Sequence, residues 1–432
     1  MRFLLLLSAL LGIISVSTGW RTFMRGRSRY DNLKELSSDD ELPKEQWFTQ
    51  EFDHFSPFNN RVWKQRYFVN SDYYKPNGPI FLMIGAEGFI DPKWMVEGQW
   101  IEYAKEFGAM CFYLEHRYYG KSHPTPDLSV KNLGLLSSEL ALADVANFIE
   151  QINVGYKFPK GTKWIAFGGS YGGSLAAWMR VKYAHLVHGA VSSSGPLLLE
   201  IDFQEYYVVV ENALKEYSQQ CVDAVQEGNR QFHILLHHVA GQQKIANIFK
   251  LCDPIDPGYT KKVDIANLYE TLASNFANIV QYNKDNRRSS RTANITIETV
   301  CDTCTEFGFF QTSTARPKLF SNTFPVDFFA QQCVDVFGPK FNMHTLEIAV
   351  PRRNILYGGL DLEVTNVVFV HGSVDPWHVL GLTHSSNPQA PAIFINGTAH
   401  CANMYPPSDR DMPQLKQARV QIKGLIEQWL NN

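Results

Sequence analysis

The chain has 432 residues, with 40 Lys+Arg against 43 Asp+Glu for a formal net charge of -3, and it is 45% hydrophobic and 13% aromatic. Only 19% of it is charged, which excludes a disordered chain and predicts either one large folded domain or a few ordinary ones. The near-neutral balance excludes nucleic acid and acidic lipid as main partners, because phosphate binding needs a strong basic excess.

Met1-Arg2 is a short basic start, Phe3 to Val16 is an apolar run, and the small residues Ser17, Thr18 and Gly19 follow. This pattern predicts a signal peptide over residues 1–19. The run is shorter than the about 20 apolar residues a spanning helix needs, and Arg21, Arg25, Arg27 and Arg29 come after it, so cleavage is expected rather than a membrane span in the mature chain. Residues 20–45 are polar and charged, and read as an N-terminal arm or pro-segment.

Strand-like runs begin at Arg66–Asn70 and continue with Pro79–Gly85 (PIFLMIG) and Ala109–Glu115 (AMCFYLE). Short continuous apolar runs of this kind suit strands buried on both faces of a parallel sheet. A helical pattern over Ser138–Ile152, a strand at Lys163–Phe167 (KWIAF) and a helix at Ser174–His188 continue the alternation, which predicts a doubly wound α/β domain whose first part spans residues 46–195. Residues 196–360 change to long, mainly helical segments, such as Glu205–Gly228 and Lys261–Asn283, and read as an inserted helical subdomain. The α/β signature returns over residues 361–432 with Asn366–Val370 (NVVFV), Ala392–Ile395 (AIFI) and an amphipathic helix around Leu415–Leu430.

In a secretory chain the seven cysteines read as disulfide candidates. Cys221, Cys252, Cys301, Cys304 and Cys333 cluster in the middle third, and the expected pairs are Cys252 with Cys333 and Cys221 with Cys301 or Cys304, although spacing cannot fix connectivity. Cys301-x-x-Cys304 lacks a second pair at metal-site spacing, so no metal is expected. Asn294-Ile-Thr296 and Asn396-Gly-Thr398 are glycosylation sequons.

The strongest chemical signal is Gly168-Gly169-Ser170-Tyr171-Gly172, a GxSxG turn with a strand before it and a helix after it. A sharp turn strains the nucleophile's backbone, flanking glycines let strand and helix pack closely, and the helix N-terminus faces developing negative charge. Ser170 is therefore the expected nucleophile. In this arrangement the acid and then the base follow in chain order. Asp375 stands in the turn after NVVFV and His400 in the loop after AIFI, both at strand carboxyl ends. Taken singly, each also reads as an ordinary turn or loop residue. The oxyanion donors are expected to be the N–H of Tyr171 and one from the loop Gly85–Gly88, with the Glu87 backbone as the candidate. The Glu87 side chain reads equally as an anchor for a substrate ammonium or as a solvated group. Trp377 reads equally as the wall of a pocket for a flat ring such as proline's or as ordinary packing. The other histidines, His371, His378 and the pair His237-His238 among them, read as structural or surface groups.

These residues sit in longer matches. FDHF (Phe52–Phe55), RYFVN (Arg66–Asn70), GAEG, EHRYYGKSHP (Glu115–Pro124), GGSYGGSLAAW (Gly168–Trp178), DPWHVLG (Asp375–Gly381) and AHC (Ala399–Cys401) resemble the serine peptidase family that includes lysosomal prolyl carboxypeptidase, dipeptidyl peptidase II and thymus-specific serine protease. The wording is nearest to the thymus-specific branch, and the resemblance covers nearly the whole mature chain. It implies an α/β-hydrolase fold with a large helical cap insertion, a Ser170, Asp375 and His400 triad, no cofactor, and a secreted or lysosomal exopeptidase trimming short peptides at proline, of dipeptidyl peptidase or carboxypeptidase type. A homodimer is compatible with this reading. Cys401 stands where the other branches put a second histidine, and His371 where the family usually has Asn, which leaves specificity and pH range open. The alternatives are an esterase, against which the HGGG loop is missing, and a catalytically silent binding protein.

Overall fold

The computed structural model of the protein describes residues 42–256, 260–283, 307–314 and 319–432. The expected signal peptide, residues 20–41 of the expected arm, Asn294, Cys301 and Cys304 lie outside the described residues.

Strands β1 (Gln46–Glu51), β2 (Val62–Asn70), β3 (Ile80–Ile84), β4 (Met110–Leu114), β5 (Trp164–Gly169), β6 (Gly189–Ser193), β9 (Val367–Gly372) and β10 (Ala392–Ile395) form one sheet in the order β1-β2-β4-β3-β5-β6-β9-β10. Only β2 runs against its neighbours; from β4 to β10 every pair is parallel. This order with a reversed second strand is the α/β-hydrolase fold. The unbroken apolar runs of the sequence have a direct cause in the pleat. In β3, Ile80, Leu82 and Ile84 enter the core on one face, whereas Phe81 and Met83 enter the core on the other. Strand β9 divides in the same way, with Val367 and Phe369 opposite Val368 and Val370.

Helices α2 (Ser138–Tyr156) and α3 (Tyr171–Lys182) cover the first face. Helices α1 (Gln99–Phe107) and α10 (Pro413–Asn431) cover the second. Helix α2 starts where the Ser137 hydroxyl accepts from Leu140 N and ends at Lys157 in the left-handed region.

Between β6 and β9 the described chain forms a short parallel pair, β7 (Glu200–Asp202) with β8 (Gly308–Phe310), and helices α4 (Glu205–Tyr217), α5 (Gln219–Leu236), α6 (Val239–Phe249), α7 (Lys262–Gln281), α8 (Val326–Phe337) and α9 (Met343–Tyr357). These helices have their own aromatic core, in which Phe203, Tyr206, Tyr207 and Phe324 meet Val374, Trp377 and Leu380 from the turn after β9.

Three expectations need correction. The single helix over Glu205–Gly228 is two, because Ser218 is extended at φ -169° and breaks it. The helix expected over Ser174–His188 is α3, which ends at Lys182, and the chain then turns into the unpredicted strand β6. Cys221 and Cys252 carry free thiols, so the expected pairs do not form. Cys333 is disulfide-bonded, but it is buried against Tyr118, Tyr119 and Leu346, whereas Cys252 is exposed beyond α6. No helix among the described residues is long and apolar enough to cross a membrane.

Candidate active site

Ser170 sits between β5 and α3 with φ 57° and ψ -131°, a backbone region that non-glycine residues rarely adopt. Two glycines permit the turn. A Cβ on Gly168 would lie 1.9 Å from Gly172 O, and one on Gly173 would lie 2.7 Å from Ser193 O. The strand and the start of the helix therefore approach more closely than any side chain allows.

The parallel register sets where the other two predicted groups emerge. Gly169 pairs with Ser193, Ser193 with Val370, and Val370 with Ile393, so β5, β6, β9 and β10 end along one edge of the sheet. Asp375 follows β9 and is fully buried; its Oδ2 lies 2.9 Å from His400 Nδ1, and its Oδ1 accepts from Trp377 N at 3.1 Å. His400 follows β10, is 2% exposed, and its Nε2 has no hydrogen-bond partner among the described residues. Ser170 and His400 line a single cleft with Trp94, Tyr282, Cys401, Met404 and Tyr405.

Burial disfavours the imidazolium of His400, but the charge and hydrogen bond of Asp375, with the neighbouring Cys401 thiol, hold its pKa well above the ordinary histidine value. Burial likewise pushes the Asp375 pKa up, and His400 together with a hydrogen bond from Ser194 brings it below the ordinary aspartate value. The pair thus favours a carboxylate that holds the imidazole by Nδ1 and leaves Nε2 as the other ring nitrogen to take a proton.

Several supporting residues escaped the sequence reading. Ser170 N donates to Ser193 O at 2.9 Å, and Cys401 N donates to Ser194 Oγ at 2.9 Å. From the end of α7, Gln281 O accepts from His400 N at 3.0 Å, while Gln281 Oε1 accepts from Trp377 Nε1 at 3.1 Å and from Tyr206 Oη at 2.7 Å. The Tyr282 ring stands edge-on to the His400 ring at 6.0 Å. His116 Nδ1 donates to Arg117 O at 2.7 Å, which makes its Nε2 the acceptor for the Tyr171 hydroxyl at 3.2 Å. Burial keeps that histidine neutral by lowering its pKa to about 4.

The remaining predicted residues divide. Glu87 is at the apex of a tight turn closed by Gly88 N donating to Ala86 O at 2.8 Å, and that loop lies against the start of α3: a Cβ on Gly172 would be 2.9 Å from Ile84 O. Neither Glu87 nor Trp377 lines the cleft. Trp377 packs against Phe203, Tyr206 and Phe309, which corresponds to its packing alternative. Asn396 is exposed. His371 is buried at 1% exposure with neither ring nitrogen hydrogen-bonded among the described residues, whereas His237 and His238 are exposed.

Known proteins share this sequence over most of its length. The family described as Serine carboxypeptidase S28 matches residues 50–303 and 302–422. The thymus-specific serine protease of Mus musculus is 31% identical over 90% of this chain and 88% of its own length, and that of Homo sapiens is 31% identical over 90% and 87%. The lysosomal Pro-X carboxypeptidase of Mus musculus is 28% identical over 89% of this chain and 90% of its own. With this match across nearly the whole folded chain, the protein belongs to the serine carboxypeptidase S28 family and is a serine-type peptidase.

Proposed function

We propose that the protein is a secreted or lysosomal exopeptidase that cleaves short peptides after proline through Ser170, His400 and Asp375. His400 Nε2 takes the Ser170 hydroxyl proton as Oγ attacks the scissile carbonyl, Asp375 stabilises the resulting imidazolium, and the N–H groups of Tyr171 and Glu87 receive the oxyanion. His400 then gives its proton to the leaving amine, and water, activated in the same way, releases the acyl group. The observation that carries this reading is the 2.9 Å contact between Asp375 Oδ2 and His400 Nδ1, with Nε2 not hydrogen-bonded among the described residues and Ser170 and His400 lining one cleft.

Proline preference is supported by the printed activity of the Pro-X carboxypeptidase relative. The exopeptidase reading is supported by the helices of residues 196–360, read as a cap over the cleft: Gln281 and Tyr282 reach His400 from α7. Such a lid favours short peptides over folded proteins.

The test is mass spectrometry of the products from two short peptides, one with a free amino end and proline second, the other amino-blocked with proline next to last. Release of a dipeptide from the first or of one carboxyl-terminal residue from the second, absent in Ser170→Ala, supports the reading and fixes its type. Cleavage of neither, by a chain that hydrolyses other peptides, overturns the proline preference.

A further inference from the structure

Helix α5 closes with a histidine pair that the proposed catalysis does not use. His233 lies in its last turn, and His237 is its C-cap, still helical at φ -81° and ψ -2°. Residues four apart share one face of a helix. The two side chains meet there: His233 Nε2 and His237 Nε2 are 3.2 Å apart, and the rings stand edge-on at 86° with centroids 4.7 Å apart. His237 and His238 stand out as a pair in the sequence, but residues one apart do not face each other on a helix, and His233, one turn back, is the partner. Both His233 and His237 are exposed, and neither lines the cleft of Ser170.

The surroundings suit a cation. His233 Nδ1 is 3.2 Å from Tyr269 Oη on α7, so the tautomer with its proton on Nδ1 donates to that oxygen and leaves Nε2 bare. A metal-bound imidazole is ordinarily oriented in this way, by a hydrogen bond from its other nitrogen. The pair also stands at the C-terminal end of an 18-residue helix, where the backbone dipole favours positive charge. Arg230, in the preceding turn, is already paired with Glu227 through two 2.7 Å hydrogen bonds. Zinc–nitrogen bonds of about 2.0–2.1 Å to two nitrogens 3.2 Å apart enclose an angle of about 100°, near the tetrahedral value.

We propose that His233 and His237 form a two-imidazole binding site for a divalent transition-metal cation such as zinc, with Tyr269 orienting His233. With His233 protonated on Nδ1, the proton between the two rings belongs to His237 Nε2. On binding, that proton leaves to solvent, His237 takes one up on Nδ1, and the ion accepts a lone pair from each Nε2. The described residues hold no group of three His, Cys, Asp or Glu ligands, so water completes the coordination and the ion exchanges with solution. The site is independent of the triad reading and stands or falls without it.

Calorimetric titration of zinc into the untagged, chelator-treated protein at neutral pH tests the site. The wild type is expected to bind saturably. His233→Ala and His237→Ala each abolish that binding, His238→Ala keeps it, and Tyr269→Phe weakens it about 10-fold. Because protons compete for both nitrogens, the wild-type affinity falls as pH is lowered. Circular dichroism of each variant separates a lost ligand from a lost fold. No saturable binding by the wild type, or binding that persists in either histidine variant, overturns the proposal and leaves a hydrogen-bonded pair only. Loss of binding in Cys252→Ser assigns the zinc to the exposed thiol and overturns it as well. An unchanged affinity in Tyr269→Phe overturns the orienting role.

Discussion

Asp375 Oδ2 and His400 Nδ1 are 2.9 Å apart in the turns that follow two neighbouring parallel strands, and neither residue is more than 2% exposed. A buried carboxylate this close makes the imidazolium easier to form, so the site responds to pH in a definite direction.

His400 accepts a proton from Ser170 only when neutral, and its pKa lies above the ordinary 6.5. Activity is therefore present above the raised pKa and lost as pH falls through it. The kcat/KM profile is expected to show an acid limb above pH 6.5, and Asp375→Asn to lower kcat by on the order of 10⁴-fold, as loss of the orienting acid does in triad enzymes. An acid limb near pH 5 contradicts this.

His371 gives a second pH dependence, in stability. Burial lowers its pKa from 6.5 to about 4, although the nearby Asp375 charge pulls it upward. The unfolded chain binds this proton below about 6.5 and the folded one does not, so its contribution to stability is complete above pH 6.5 and lost as pH falls towards 4. In urea unfolding, His371→Asn is expected to remove about 1.4 kcal/mol per pH unit from the slope across that window. Parallel slopes for the two proteins refute it.

Gln281 couples the helices to the acid turn. Gln281→Leu removes the acceptor used by Trp377 Nε1, in a cluster where Trp377 is only 7% exposed, and Tyr206 loses the same oxygen. The expected cost is about 1–3 kcal/mol per stranded group, together with slower peptide cleavage because His400 N is bonded to Gln281 O. Chemical denaturation and initial rates measure both, and unchanged values in both count against the coupling.

The thiols give a covalent check. In the native protein an alkylating reagent is expected to label exposed Cys252 first, and buried Cys111 only after unfolding, since burial pushes the Cys111 pKa far up. A Cys252–Cys333 peptide in a non-reduced map contradicts the free thiol.

The strands β3, β4, β5 and β9 were legible because double-sided burial writes itself as an unbroken apolar run, and the elbow because its glycines answer a steric demand at fixed spacing. Strand β6 was not. Gly189–Ser193 is small and half polar, and it is a strand because β5 and β9 complete its hydrogen bonds on both sides. Ser194 and Gln281 were invisible for a related reason: their partners Cys401, Trp377 and His400 lie far along the chain, and nothing in a lone Ser or Gln announces a tertiary bond. Trp377 could be read either way because aromatic packing and a pocket wall require the same residue type. Cys333 is disulfide-bonded as expected, but the expected pairs with Cys252 and of Cys221 fail because sequence spacing carries no information on which segments fold together.

The most direct test of the account is labelling of the folded protein with a fluorophosphonate probe, followed by peptide mapping. The account predicts one adduct, on Ser170, formed at a rate that falls steeply in His400→Ala and Asp375→Asn, and no adduct or peptide cleavage in Ser170→Ala. An adduct on another serine, or peptide cleavage that survives in Ser170→Ala, contradicts it.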